Sequence, residues 1–380
     1  MNPQLGDTME KALEHYRSLP QPKRSEHLWR YSAWRRLHPT GKVDEVPKTV
    51  SAKVVLTNLD GSAVDSAIEL RPARGEERRR LSATLVEDNV AASFCRALCG
   101  DESLLLSIPN SYVGEQPLSL DITASGHISS LYLLLDIGTN AEVELAISIR
   151  GEASWFGLLR EGNIGENSKL TEFVHNRLDS TSTLLRCEGV ELQRDARLLT
   201  ATLSSGADNS KSDLRYSLTG MGADLGVFIA VHGQGKRHDD HHIEIEHKVG
   251  NNRSQVEMHA ACDDNSRSVG TGRLLIAESA QGADAGQVFR NLLLSDKAKA
   301  DVIPELEVLA DDVSANHGAA SAPLDPEQVF YLESRGLDKN ESRDIIVEGF
   351  LMDAFKDFKS PALIDRLRTL LLVHLDCDLI

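Results

Sequence analysis

Residues 266–350 read SRSVGTGRLLIAESAQGADAGQVFRNLLLSDKAKADVIPELEVLADDVSANHGAASAPLDPEQVFYLESRGLDKNESRDIIVEGF. Two textures meet in this stretch. Its first part is a series of short apolar runs separated by Gly, Asn, Asp and Ser. Leu306 and Val308 alternate there, the period-two pattern of a strand with one buried face. At Ala322 the pattern changes. Asp325 is placed to cap a helix, Pro326 takes the first helical position and Gln328 has capping-box spacing. Gly336 is a C-terminal stop. Asp338 with Glu341 opens a second helix over residues 339–358 in the same way. Its apolar residues Ile345, Ile346, Phe350, Leu351, Ala354 and Phe355 exceed the needs of one buried stripe, and the surplus invites a partner. Ser360 and Pro361 start a third helix that runs to about Leu375. Such a helical cap is expected to cover the open edge of the sheet before it.

The strand-like texture extends back to about Ile128. Val143, Leu145, Ile147 and Ile149 alternate, as do Leu214, Tyr216 and Leu218, then Val227 and Ile229, then Ile243 and Ile245. Helical punctuation is almost absent, which argues against βαβ units. No fixed period emerges, so the pattern leaves a sandwich and a parallel β-helix equally open. Before residue 126 the chain is mixed. A short amphipathic helix is expected over residues 7–18, capped by Asp7, and a second helical piece over residues 23–37, closed by His38 and Pro39. A strand at 54–56, a helix at 90–99 and strands at 104–108 and 118–122 follow. The division is residues 1–125, mixed; 126–322, β core; and 323–380, helical.

The totals bound the function. The 380 residues are 41% hydrophobic and 26% charged, enough to bury a core. Aromatics at 5% favour an interior of small and aliphatic side chains. A net charge of −17 repels phosphate backbones and anionic lipid, so neither nucleic acid nor a membrane is an expected partner. Cys95, Cys99, Cys187, Cys262 and Cys377 are odd in number and scattered, which suits a reducing cytoplasm and not a disulfide framework. The N-terminus lacks the apolar core of a signal peptide, and no run of 18 apolar residues occurs.

Several clusters offer chemistry. Gly220-Met221-Gly222-Ala223-Asp224-Leu225-Gly226 misses the spacing of a dinucleotide fingerprint, and Gly233-Gln234-Gly235-Lys236-Arg237 lacks the spacing and hydroxyl of a P-loop. Turns between strands explain both, so the chain is not expected to be an ATPase. In His238–His247 the side chains of His242, Glu244 and Glu246 share one strand face, a candidate divalent-ion site. The bland alternative is a solvated ladder outside a core strand, with Ile243 and Ile245 inside. Cys95 and Cys99 lie one helical turn apart and read as buried helical cysteines, and Cys262 reads as structural. His317 sits beside Gly318 at the junction of strands and helices, and on chemistry alone it reads as structural.

The quoted stretch resembles the SufB/SufD family. The marks are Arg290-Asn291-Leu292-Leu293-Leu294-Ser295, Pro304-Glu305-Leu306-Glu307-Val308, Ala310-Asp311-Asp312-Val313, His317-Gly318-Ala319 and Phe330-Tyr331-Leu332-x-Ser334-Arg335-Gly336. Glu26-His27-Leu28-Trp29-Arg30-Tyr31-Ser32 is similar to the family's entry segment, in its SufD form. The resemblance implies a right-handed parallel β-helix with a helical C-terminal domain. It implies a non-enzymatic scaffold of SUF iron–sulfur cluster assembly, paired with a SufB-like chain or a second copy. It further implies docking of a SufC ATPase of the ABC class on the C-terminal helices, through Phe330, Tyr331, Arg335, Gly336, Ile346, Gly349 and Phe350. A transient cluster is implied near the pairing interface, at His317, with no cofactor held tightly by this chain alone. FADH2 has been associated with the family's complexes. The segment RNLLLS lacks the cysteine of SufB-type chains, which favours the SufD role. Ala315 and Asn316 stand where the family commonly has Cys-Ser, and Gly270-Thr271-Gly272 replaces a usual Phe-Asn-Gly. The competing readings are a β-helical carbohydrate-active enzyme and a metal-binding module on residues 238–247.

Overall fold

Short alternating strands joined by tight turns leave unpaired backbone groups along any edge that has no neighbour. Here each strand finds its neighbour by stacking on the strand one coil earlier. The computed structural model of the protein describes residues 9–82 and 89–375. It is mainly β, with a parallel solenoid of about eight turns. The first sheet runs in the order Glu69–Pro72, Leu104–Ile108, Ile128–Ile137, Trp155–Ile164, Thr183–Leu192, Asn209–Leu218, His238–His247, Arg267–Ile276 and Lys299–Val308, with Val50–Ser51 beside Ile128–Ile137. The second runs Lys53–Asn58, Leu118–Ala124, Glu142–Gly151, Lys169–Leu178, Arg197–Ser204, Asp224–Gly233, Arg253–Cys262, Ala283–Leu293 and Val313–Pro323. Pairing is parallel from Leu104–Ile108 and Leu118–Ala124 onward, which decides for the solenoid over the sandwich.

Coil length explains the missing period. Thr183 pairs with Asn209, 26 residues on, whereas Arg267 pairs with Lys299, 32 residues on. The turns absorb the difference while the strands hold their register. Two of those turns are the near-miss nucleotide motifs. Gly222 (φ +78°) and Gly235 (φ +62°) take left-handed backbone there, and a Cβ on Gly222 would meet Asp195 Oδ1 at 2.4 Å.

Inside, aliphatic side chains stack in rows from coil to coil. Leu198 lies beside Leu225, and Leu214 beside Ile243. The lumen is largely aliphatic, with Phe156, Tyr216 and Phe289 as its fully buried rings. Burying each such aliphatic side chain contributes about 1.5–3 kcal/mol relative to exposure. Aromatics gather instead where helices meet the first sheet. There Phe94 touches Tyr16, Trp34 and Trp155 at ring distances of 5.1, 5.2 and 5.8 Å.

The N-terminal elements are α1 (Met9–Ser18), α2 (Trp34–Leu37), α3 (Gly75–Leu81) and α4 (Val90–Cys99). The helix expected over 23–37 is broken into a 3-10 turn, His27–Trp29, and α2. Ser32 between them turns to the first sheet, where its hydroxyl meets Asp240 and lies 3.0 Å from His238 Nε2. The Asp7 cap and Cys377 lie outside the described residues.

The C-terminal helices are α5 (Pro326–Glu333), α6 (Lys339–Asp353) and α7 (Pro361–His374). Asp325, Asp338 and Ser360 cap them, and Asp338 with Glu341 forms the expected capping box. For α5 the cap is the Asp325 carboxylate on Glu327 N, without the reciprocal Gln328 bond. Helix α6 stops at Asp353, short of the expected 358. The helices do not cover the end of the solenoid as expected. Val347, Leu351, Phe355, Leu363, Leu367 and Leu371 pack sideways on Phe173, Leu203 and Phe228 of the second sheet's outer face. That outer face is apolar, so burying it outweighs capping an edge. Lys299–Val308 and Val313–Pro323 therefore remain edge strands. No helix among the described residues is long and apolar enough to cross a membrane.

Candidate functional site

The predicted site residues fall on two structures, the final coil and the helical arm beside it. In the final coil, His317 lies on Val313–Pro323, in register with Gln287 of the strand beneath. Val313 and Ala315 face the core, and alternation puts His317 on the same side. Because no further coil follows, His317 is exposed. Below it, Gln287 is fully buried and donates through Nε2 to Glu305 O at 2.9 Å. The described thiols lie elsewhere. Cys95, Cys187 and Cys262 are buried and Cys99 half-buried. Burial pushes the Cys262 thiol up to about 12, so it stays protonated.

The arm begins with α5, which has no buried residue. Phe330 is 71% exposed and Tyr331 56%. Arg335 lies over the Tyr331 ring, 5.1 Å from its centre, and Gly336 ends the helix at φ +101°. The other predicted docking residues divide. Gly349 is exposed, but Ile346 and Phe350 are partly buried against the second sheet. The Phe350 ring stacks on His259 at 4.9 Å and 24°, and its carbonyl accepts from His259 Nδ1 at 2.7 Å. Phe350 thus belongs to the joint between arm and solenoid.

Sequence reading did not single out that joint. Glu257, His259 and Asp353 bring ligand-type atoms within 4.8 Å of one another. Cations already occupy the space between them. Arg290 Nη1 pairs with Glu257 and stands 3.9 Å from Asp353, and Lys356 Nζ stands 3.6 and 3.9 Å from the same two carboxylates. Burial alone would raise Glu257, but the bond from His259 and the charges of Arg290 and Lys356 hold it below its usual range. The arrangement is an ion-paired clamp. Its signal in sequence is Glu257 and His259 two apart on one strand, which only the position of α6 makes meaningful.

The His238–His247 strand has the expected core side but not a fully solvated outer ladder, because the outward His242 is itself buried. Ile243 and Ile245 are buried in the lumen, flanked by His241 and His247. On the outer face His242 Nε2 lies 3.5 Å from Glu244, which also faces Arg273 at 3.5 Å and Arg215 at 3.8 Å. Glu246 pairs with Lys248 at 3.3 Å. The two carboxylates are each balanced by side-chain cations.

Comparison with known proteins fits this architecture. Residues 120–350 match the family described as SUF system FeS cluster assembly, SufBD core domain. The chain is 26% identical to an iron–sulfur cluster assembly SufBD family protein of Mycobacterium tuberculosis, over 91% of this chain and 87% of the other. It is 29% identical to the iron–sulfur cluster assembly protein SufD of Bacillus subtilis, over 52% and 45%. It is 34% identical to SufD of Escherichia coli, over 30% and 27%. The matched segment spans most of the solenoid and reaches through α5 into α6, and on that basis the chain belongs to the SufBD family of the SUF iron–sulfur cluster assembly system.

Proposed function

We propose that this chain is a non-enzymatic scaffold of the SufD type. In this reading the final coil pairs with a SufB-like chain or a second copy, and α5 with the start of α6 carries a SufC-type ATPase. One observation carries the proposal. The C-terminal end of the solenoid leaves backbone edges and large apolar groups uncovered together, at Lys299–Val308, Val313–Pro323, Phe330 and Tyr331. Unpaired edges and exposed aromatics are templates for association. The iron–sulfur cluster is cargo, built near His317. The free thiols fit a reducing cytoplasm.

The clamp gives the scaffold a way to respond. Movement of the ATPase subunits would pull on α6. Phe350, Asp353 and Lys356 would pass that pull to His259 and Glu257 on Arg253–Cys262, and to Arg290 on Ala283–Leu293. The next strand in register is Val313–Pro323, which carries His317.

Co-purification with the host's SufC-type ATPase and SufB-like chain tests this reading. The double variant Phe330→Asp, Tyr331→Asp is expected to lose the ATPase while keeping its circular dichroism and its SufB-like partner. If the unsubstituted chain associates with neither protein under reducing conditions, the scaffold reading fails.

A further inference from the structure

On the outer face of the second sheet, near its first coils, two arginines meet a third from α7. Arg150 and Arg177 are direct neighbours in the parallel register of Glu142–Gly151 and Lys169–Leu178. Like charges in that position repel. Arg366 of α7 lies over them, and the three line one cavity of about 240 Å³ together with Ser119, Ser148 and Asp121. Asp121 stands 3.9 Å from Arg150. Among the described residues neither Arg177 nor Arg366 has a carboxylate partner within salt-bridge distance. In a chain of net charge −17, a solvated arginine normally finds an acid. Here three guanidinium groups share one.

The surroundings deepen the imbalance. His175, on the same strand as Arg177, is 4% exposed, and its Nδ1 has no hydrogen-bond partner among the described residues. Burial pushes its imidazole down to about 3, helped by Arg177, His374, Arg366 and Arg237. Burial first, and the neighbouring cations second, disfavour a charged imidazole there, and the arginines disfavour a divalent cation in the cavity beside it. The arginines favour an anion with several oxygens, because guanidinium groups recognise phosphate in pairs of parallel hydrogen bonds. The serine hydroxyls supply neutral donors of the kind that complete an oxyanion shell.

We propose that Arg150, Arg177 and Arg366, with Ser119 and Ser148, form a binding site for a phosphate group. The group is either inorganic phosphate or the phosphate of a small metabolite whose remainder lies in the open mouth of the cavity. The site is independent of the final coil and of the α5 docking surface.

Calorimetric titration of the full chain with inorganic phosphate and with AMP, each at constant ionic strength set by NaCl, tests the proposal. One saturable site for both ligands is expected if phosphate alone suffices, and for AMP alone if the remainder contributes. Arg177→Gln and Arg366→Gln are each expected to weaken binding by about tenfold or more. Without ligand, the Arg177→Gln chain is expected to melt at the same temperature or higher, because a repulsion is removed. Absence of saturable binding for both ligands overturns the proposal. So does binding that both variants retain, or an Arg177→Gln chain that melts lower without ligand, since the arginine would then be a structural element.

Discussion

The middle coils and the final coil are built from the same alternating text, yet they hold charge in opposite ways. In the middle, Arg160 points into the lumen at 1% exposure and forks onto Glu172 with two bonds of 2.6 Å, while a third of 2.7 Å reaches Glu188. Arg186 binds Glu188 from the other side at 2.6 Å and Thr202 at 3.0 Å. Two arginines and two glutamates form a neutral plug in which every charge is matched. In the final coil, inward positions such as His317 face solvent, and charges pair across the surface. The difference comes from neighbours. A strand flanked on both sides must pair the charges it buries. An edge strand leaves its groups to water or to a partner.

The largest expected effect comes from breaking the plug. Arg160→Ala leaves Glu172 and Glu188 buried with one fewer cation, and it should destabilise the chain by about 3–5 kcal/mol in urea unfolding. Replacing Arg160, Glu172, Glu188 and Arg186 together by aliphatic residues of similar volume should cost far less, because the desolvation penalty goes with the charges. If Arg160→Ala costs under about 1 kcal/mol, the middle is no better sealed than the end.

Acid titration sharpens the same contrast. Burial alone would raise Glu188, but Arg160 and Arg186 hold it down at about 2. Asp213, under the same burial, is held at about 2 by Arg215 and His242. A depressed carboxylate stabilises the fold above its unfolded value and loses that contribution as pH falls through the folded one. The loss should therefore appear between about pH 4.5 and 2, amounting to about 3 kcal/mol for Glu188. In Glu188→Gln the stability curve should flatten over that window. An unchanged slope would mean the plug does not hold its charge.

How much of this was legible follows from range. Alternation at Val143 to Ile149 and the caps at Asp325 and Asp338 are local, and they gave strands and helices directly. Whether the strands close as a sandwich or a solenoid depends on pairings 26–32 residues apart, which local pattern does not encode. The family motifs supplied that step. The helices' position on the side of the solenoid depends on the outward-facing Phe173, Leu203 and Phe228, spread over three strands. For the same reason Phe350 read as a docking residue: its partner His259 is 91 residues away. The Arg160 plug was invisible because an inward arginine looks like an outward one until its register partners are known.

A smaller effect separates the joint from the exposed arm. Phe350→Ala removes a ring stacked on His259 and should cost about 1–3 kcal/mol of stability. Tyr331→Ala should fall within about 0.5 kcal/mol. Thermal melts of both variants check the pair. Equal costs would erase the distinction between joint and docking helix.

The smallest effect is expected at the edge itself. Arg273 bonds Glu307 at 2.7 Å and faces Glu244 at 3.5 Å, with Arg273 37% and Glu307 50% exposed. Solvent screens such a pair, so Arg273→Ala should change unfolding stability by less than about 0.5 kcal/mol. Its place beside the open coil gives it another measurable role. Charges at the rim of an interface govern how fast partners meet and how strongly salt slows them. If the final coil is where a partner chain docks, the variant should show a slower, less salt-sensitive association with a nearly unchanged melting temperature. If stability falls by several kcal/mol instead, this coil is sealed like the middle, and its open edge is not a surface held in reserve for a partner.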